Sequence, residues 1–162
     1  MALTNHDFVK PLIVGGTITF TDQSSSIAAR ADQYPSVETV KTVVQPYKPE
    51  PRLLELTELF RQMVNTSIAV GLETGRTSLK SLSLVSYSHL KIFRTDSRYR
   101  LCAISRAASI LKNYRNLSNK HRVRTPYCRR AGLTICYGVK VNDDGILCLP
   151  GGFGIPLNRY VS

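Results

Sequence analysis

In the stretch PEPRLLELTELFRQMVNTSIAVGL, which begins at Pro49, apolar side chains return every three or four residues: Leu53, Leu56, Phe60, Met63, Val64 and Ile68. That period places them on one face of an α-helix. A helix with so continuous an apolar face has to bury it, so the rest of the chain must supply a matching surface. Pro49 and Pro51 sit at the helix entrance, where a missing N–H is harmless, and Gly71 is expected to stop the helix. The stripe reads as core rather than as a cofactor site.

One matching surface is the stretch SRYRLCAISRAASILKNYRNL, residues 97–117. Ser97 is its expected cap and Leu101, Ile104, Ala108 and Leu111 its expected buried face. Ala103, Ala107 and Ala108 would let another backbone approach closely. Arg106 and Lys112 fall off that face, where they can reach a phosphate backbone. Between the two helices, residues 71–93 read as a polar turn followed by a helical or extended segment.

The period changes at both ends. VETVKTVVQPY, residues 37–47, is rich in Val and Thr and ends as a single strand would at Pro46. LTICYGVKV, the turn NDDG and ILCLP form a hairpin with Asp144-Gly145 as the turn pair, and GGFGIPLNRYV adds a short strand. The expected fold class is therefore α+β: a small antiparallel β-structure with an inserted helical block, the strand before the helices pairing with those after them. Its parts are a β unit of residues 37–48 and 123–162, a helical unit of residues 49–122, and a poorly patterned extension of residues 1–36. That extension offers one β-like run, TITFT at residues 17–21, and is assigned no function.

Chemistry is sparse. The four cysteines, Cys102, Cys128, Cys136 and Cys148, never stand at zinc-knuckle or redox spacing and read as small buried thiols. Asp143 and Asp144 belong to a hairpin tip. His6, His89 and His121 have no motif partner, and no phosphate-cradling or nucleophile-elbow motif occurs. No catalytic residues, metal or cofactor are expected. No apolar run approaches the roughly 18–20 residues of a membrane span, and the N-terminus lacks a secretory apolar core, so the expected location is cytoplasmic with no membrane partner.

Charge is the informative feature. The formal net charge is +11, and residues 91–130 hold twelve Lys or Arg against one acid, Asp96. The remaining residues balance, ten basic against ten acidic, so the whole excess lies in one quarter of the chain. Residues 112–130, KNYRNLSNKHRVRTPYCRR, hold seven of these cations and no acid. A concentrated patch repels itself, which favours a polyanionic partner over a merely solvated face or an acidic membrane surface. Nine of the twelve are Arg, suited to phosphate forks and base stacking.

The blocks KTVVQPYKPEPRLLELTELFRQMVNTSIAVGL, SRYRLCAISRAASILKNYRN and RTPYCRRAGLTICYGVKVNDDGILCLP, taken in order over residues 39–161, resemble the N-terminal portion of archaeal TnpB proteins. These are the transposon-associated OrfB family related to type V CRISPR effectors. The resemblance implies an oligonucleotide-binding-like (OB-like) β-barrel, the wedge domain, carrying an inserted helical recognition domain. Together these hold a guide RNA, help recognise a short motif beside the DNA target and grip the guide–target duplex. Charge and position then assign phosphate contacts to Arg98, Arg100, Arg106, Lys112 and Arg115 from the helical part, and to Lys120, Arg122, Arg124, Arg129 and Arg130 from the β part. His121 is an extra donor, and Tyr114 and Tyr127 are placed to stack on bases.

Members of that family continue into a nuclease domain with three catalytic acids and a Cys-pair zinc ribbon, which this sequence lacks. The expectation is a module that binds structured RNA or DNA without cleaving it, with a separate nuclease domain or a full-length relative as a further partner. Rival readings are a small basic structural protein of nucleocapsid or chromatin type, and an inactive transposon remnant.

Overall fold

The computed structural model describes residues 8–9, 12–14, 17–23 and 41–158, the first three segments and residues 41–43 by backbone alone. Eight strands and three α-helices follow in the order β1 (Phe8–Val9), β2 (Leu12–Val14), β3 (Thr17–Gln23), β4 (Lys41–Pro46), α1 (Pro51–Thr74), α2 (Leu79–Ser86), a 3-10 turn (His89–Phe93), α3 (Ser97–Ser118), β5 (Gly132–Thr134), β6 (Lys140–Val141), β7 (Ile146–Leu149) and β8 (Phe153–Pro156). The fold class is α+β, as the change of period indicates.

Helix α1 opens at Pro51 and buries the whole expected stripe, with Phe60, Met63 and Val64 fully inaccessible. It does not stop at Gly71. A side chain there would collide with Leu111 of α3 and crowd Leu82 of α2, so the glycine is where three helices close on one backbone. The helix ends four residues later at Gly75, whose left-handed φ of 67° lets its N–H reach the Gly71 carbonyl. The uncertain segment after it resolves into α2, capped by the Ser78 hydroxyl on the Ser81 N–H, and the 3-10 turn, which Arg94 closes at φ 45°.

Two expectations for α3 are corrected. Its cap is Asp96, not Ser97: the carboxylate accepts the Arg98 N–H at 2.9 Å and the Arg98 guanidinium at 2.8 Å. Its buried face is Tyr99, Cys102, Ala103, Ile104, Ala107, Ala108 and Leu111, whereas Leu101 remains 39% exposed. The three alanines let α3 lie close against α1, the most extensive helix pairing in the fold. The Arg98 hydrogen bonds hold the Asp96 carboxyl at about 2, below its ordinary value near 4. A depressed carboxylate stabilises the fold above the unfolded value and loses that contribution as pH falls through the folded one. Asp96→Ala is thus expected to cost about 1 kcal/mol near neutrality, and the difference from the parent to shrink as pH falls from about 4 to about 2 in urea titrations.

The β elements depart further from expectation. The strand before the helices, β4, does not pair with those after them. It pairs antiparallel with β3, which pairs with β2, and β2 in turn pairs with β5. Three strands of this five-stranded sheet therefore come from residues 8–23, where the sequence suggests one run. β6, β7 and β8 form a second antiparallel sheet. The Asn142–Gly145 turn joins β6 to β7 as expected, with Gly145 at φ 74° and the Asn142 side chain accepting the Ile146 N–H at 2.7 Å. LTICYGVKV is split between the sheets at Gly138, whose φ of 72° redirects the chain beneath Arg98.

No strand ladder joins the two sheets among the described residues. A side chain does. Gln45 on β4, almost fully buried, donates to the Pro156 carbonyl at 2.9 Å and accepts the Asn158 N–H at 2.8 Å, reproducing with one amide the two bonds of a strand pair. Tyr99 of α3 ties the second sheet to the helices through its hydroxyl on the Pro150 carbonyl. Leu133, Ile135, Leu147 and Ile155 are buried in the same cluster as the helix stripes, so helices and sheets share one core.

Candidate functional site

Apart from the exposed Lys91 and Arg94 at the 3-10 turn, the cations of residues 91–130 fall into two groups once their neighbours are known. The first group is engaged within the fold. Arg98 is paired with Asp96. Arg100 lies over the Tyr87 ring at 5.2 Å, its buried Nε without a hydrogen-bond acceptor. Arg106 donates to the Gly132 carbonyl at 3.2 Å and to the Thr134 hydroxyl at 3.4 Å, fastening α3 to β5. These three expected phosphate contacts have intramolecular roles that their sequence positions do not reveal.

The second group faces outward. Lys112 and Arg115 are exposed on the last turns of α3. Lys120, His121, Arg122, Arg124, Arg129 and Arg130 are exposed along the irregular segment of residues 119–131. The described residues hold only two ion pairs, Arg61–Glu58 and Arg98–Asp96, and neither involves this group. Like charges so close destabilise one another, so the segment needs a tether that does not neutralise it.

That tether is the polar flank of α1. Asn65 donates to the Cys128 carbonyl at 3.1 Å and accepts the Cys128 N–H at 2.8 Å, satisfying both backbone groups of one buried residue in the middle of the cationic segment. One turn earlier, Arg61 donates to the Tyr127 phenol oxygen at 2.6 Å and lies 5.8 Å from the ring centre. Arg61 is itself held by Glu58, whose carboxyl the guanidinium keeps at about 2, well below the ordinary carboxylate value. Glu58, Arg61 and Asn65 follow each other at helical spacing beside the apolar stripe. Only their i, i+3, i+7 alignment marks them in the sequence, and that pattern does not point to a partner 63 residues away.

Tyr127 is 60% exposed and fixed at its hydroxyl, so its ring forms a rigid apolar platform among cations. Tyr114 is half-buried on α3 with no hydrogen-bond partner for its hydroxyl among the described residues. Among the described residues no group of three or more His, Cys, Asp or Glu converges to hold a metal ion. Cys102 and Cys128 are buried, and Cys136 and Cys148 partly so. The Cys136 thiol beside it, together with burial, pushes the Cys102 thiol well above its usual range, the opposite of what a reactive nucleophile needs. No described helix is long and apolar enough to cross a membrane.

Fold and surface together define the class: an α+β protein that presents an anchored cationic segment, without acidic partners among the described residues, on an otherwise charge-balanced frame. Comparisons with protein-family models, with curated proteins and with solved structures give no match.

Proposed function

We propose that this chain binds nucleic acid through residues 119–131 together with the end of α3, mainly by phosphate contacts and without cleavage of its own. The observation that carries the reading is the anchoring of the segment by Asn65 and Arg61 while Lys120, Arg122, Arg124, Arg129 and Arg130 remain exposed without an acidic partner among the described residues. A merely solvated charge run has no use for a buried backbone clamp. Fixed cations beside a fixed aromatic ring suit phosphates and an adjoining base.

The resemblance to the N-terminal portion of TnpB proteins refines this to handling of a guide RNA and its DNA target. In that reading the two sheets, tied by Gln45, are the open halves of an OB-like wedge and α1 to α3 are the recognition block. A titration against single-stranded RNA, hairpin RNA, duplex DNA and an RNA–DNA hybrid of equal length, at two salt concentrations, tests it. Preference for the hairpin or the hybrid that survives the higher salt is the expected result. Equal binding erased by salt would leave a basic structural protein, and no binding at all would leave an inactive remnant. Labelled DNA incubated with divalent metal should stay intact.

A further inference from the structure

A cleft of about 600 Å³ opens between the turn that precedes α2 and one face of α3. Ser105, Ser109, Lys112 and Asn116 line it at successive four- and three-residue steps, with Arg115 beside them and Leu79 on the opposite wall. No acid lines it, and neither Lys112 nor Arg115 has an ion-pair partner among the described residues. Ala108 forms part of its floor, and Leu79 is half-exposed toward it. Two unneutralised cations, a row of hydroxyls and an amide, and an apolar wall are thus gathered in a space of small-ligand size.

We propose that this cleft binds one unpaired nucleotide, its phosphate on Lys112 and Arg115 and its base against Leu79 and Ala108. The cations supply charge-assisted hydrogen bonds to the phosphate oxygens, and the hydroxyls and Asn116 offer donors and acceptors to the sugar and the base edge. A duplex is too broad for the space, whereas a nucleotide out of its stack presents the required combination of apolar face and anion. The choice of a nucleotide over other phosphorylated ligands rests on the nucleic-acid reading above. The nucleotide can come from an unpaired position in a strand or from the free pool.

The test is a titration of the full chain with adenosine monophosphate and with inorganic phosphate, followed through the Leu79 methyl resonances. A hairpin RNA with one bulged adenosine and the same hairpin without the bulge are titrated in parallel. Ser109→Tyr fills the cleft from an exposed position, and Lys112→Gln with Arg115→Gln removes its charge at exposed positions, so neither variant disturbs the core. The monophosphate is expected to shift Leu79 and to bind more tightly than phosphate alone. Both variants are expected to weaken it at least about tenfold. A selective loss on the bulged hairpin in Ser109→Tyr assigns the nucleotide to a strand. Unchanged hairpin binding with loss of the monophosphate assigns it to the free pool. A wild-type chain that takes the monophosphate but neither RNA would overturn the general nucleic-acid reading and leave the cleft standing. Leu79 unmoved in the wild type, or a monophosphate affinity untouched by Ser109→Tyr, would sink the inference.

Discussion

Replacing Arg122, Arg124, Arg129 and Arg130 together with Ala should flatten the salt dependence of RNA or DNA binding by up to about three to four units of log K against log salt. Each cation neutralising a phosphate on a duplex releases about 0.9 counterion, so four such contacts set that ceiling. Affinity at moderate salt should fall by at least about a hundredfold, with the larger loss at the lower salt concentration. All four side chains are exposed and none is engaged by another described residue, so the stability of the chain should be nearly unchanged or slightly improved by the relief of repulsion. A binding isotherm repeated at several salt concentrations reads the slope directly. An unaltered slope would mean that the cationic segment does not touch the ligand, whatever the rest of the molecule does.

The second large effect is expected at Asn65, which carries no charge at all. Asn65→Ala leaves the Cys128 N–H and carbonyl without partners at a site that is itself buried, a loss of about 2–3 kcal/mol from two hydrogen bonds and the exposure of the groups they satisfied. Hydrogen exchange at the Cys128 amide should accelerate before global unfolding sets in. Nucleic-acid affinity should fall by about tenfold although no cation has been removed, because residues 119–131 must then be ordered during binding. Asn65→Asp separates the two halves of the clamp: it still accepts the Cys128 N–H but sets a carboxylate against the carbonyl, and it should destabilise comparably. Slow exchange at Cys128 in Asn65→Ala would show that the segment is held by something other than this amide.

The contrast between these two variants shows what a sequence can and cannot disclose here. The cationic segment is visible at once because charge adds up along the chain regardless of folding. The apolar stripe of α1, the alanine-rich face of α3 and the Asn142–Gly145 turn are equally visible, since each is set by periodicity or turn chemistry within a few residues. Asn65 and Gln45 were not legible as structural clamps. Each amide pairs with backbone 63 and 111 to 113 residues away, and a backbone partner leaves no mark on the sequence around it. For the same reason Arg98, Arg100 and Arg106 looked free when they are engaged by a cap, a ring and a strand carbonyl. Gly71 shows the inverse error. A glycine at the end of an apolar stripe signals a helix stop, whereas the packing of Leu111 and Leu82 requires only that it have no side chain.

Within residues 8–23 the run TITFT marks β3, but β1 and β2 escape for a different reason. β1 has two residues and β2 three, below the length at which alternation can be told from chance, and β2 has one of its two partners, β5, far along the chain. The sheet order thus combines local pairings of β1 and β2 with β3 and two distant ones, β4 on β3 and β5 on β2.

The Asn65 clamp is made of neutral groups, and the surface it supports is made of ions. Ionic strength therefore leaves the Asn65 clamp as it was, while it screens the exposed cations and the Arg61–Glu58 pair beside the clamp. On the proposed reading, a polyanion displaced by concentrated salt would leave a segment still held at Cys128, and on dilution the next one would meet that anchor already in place. Capture and release would then be cycled by salt with the clamp intact throughout.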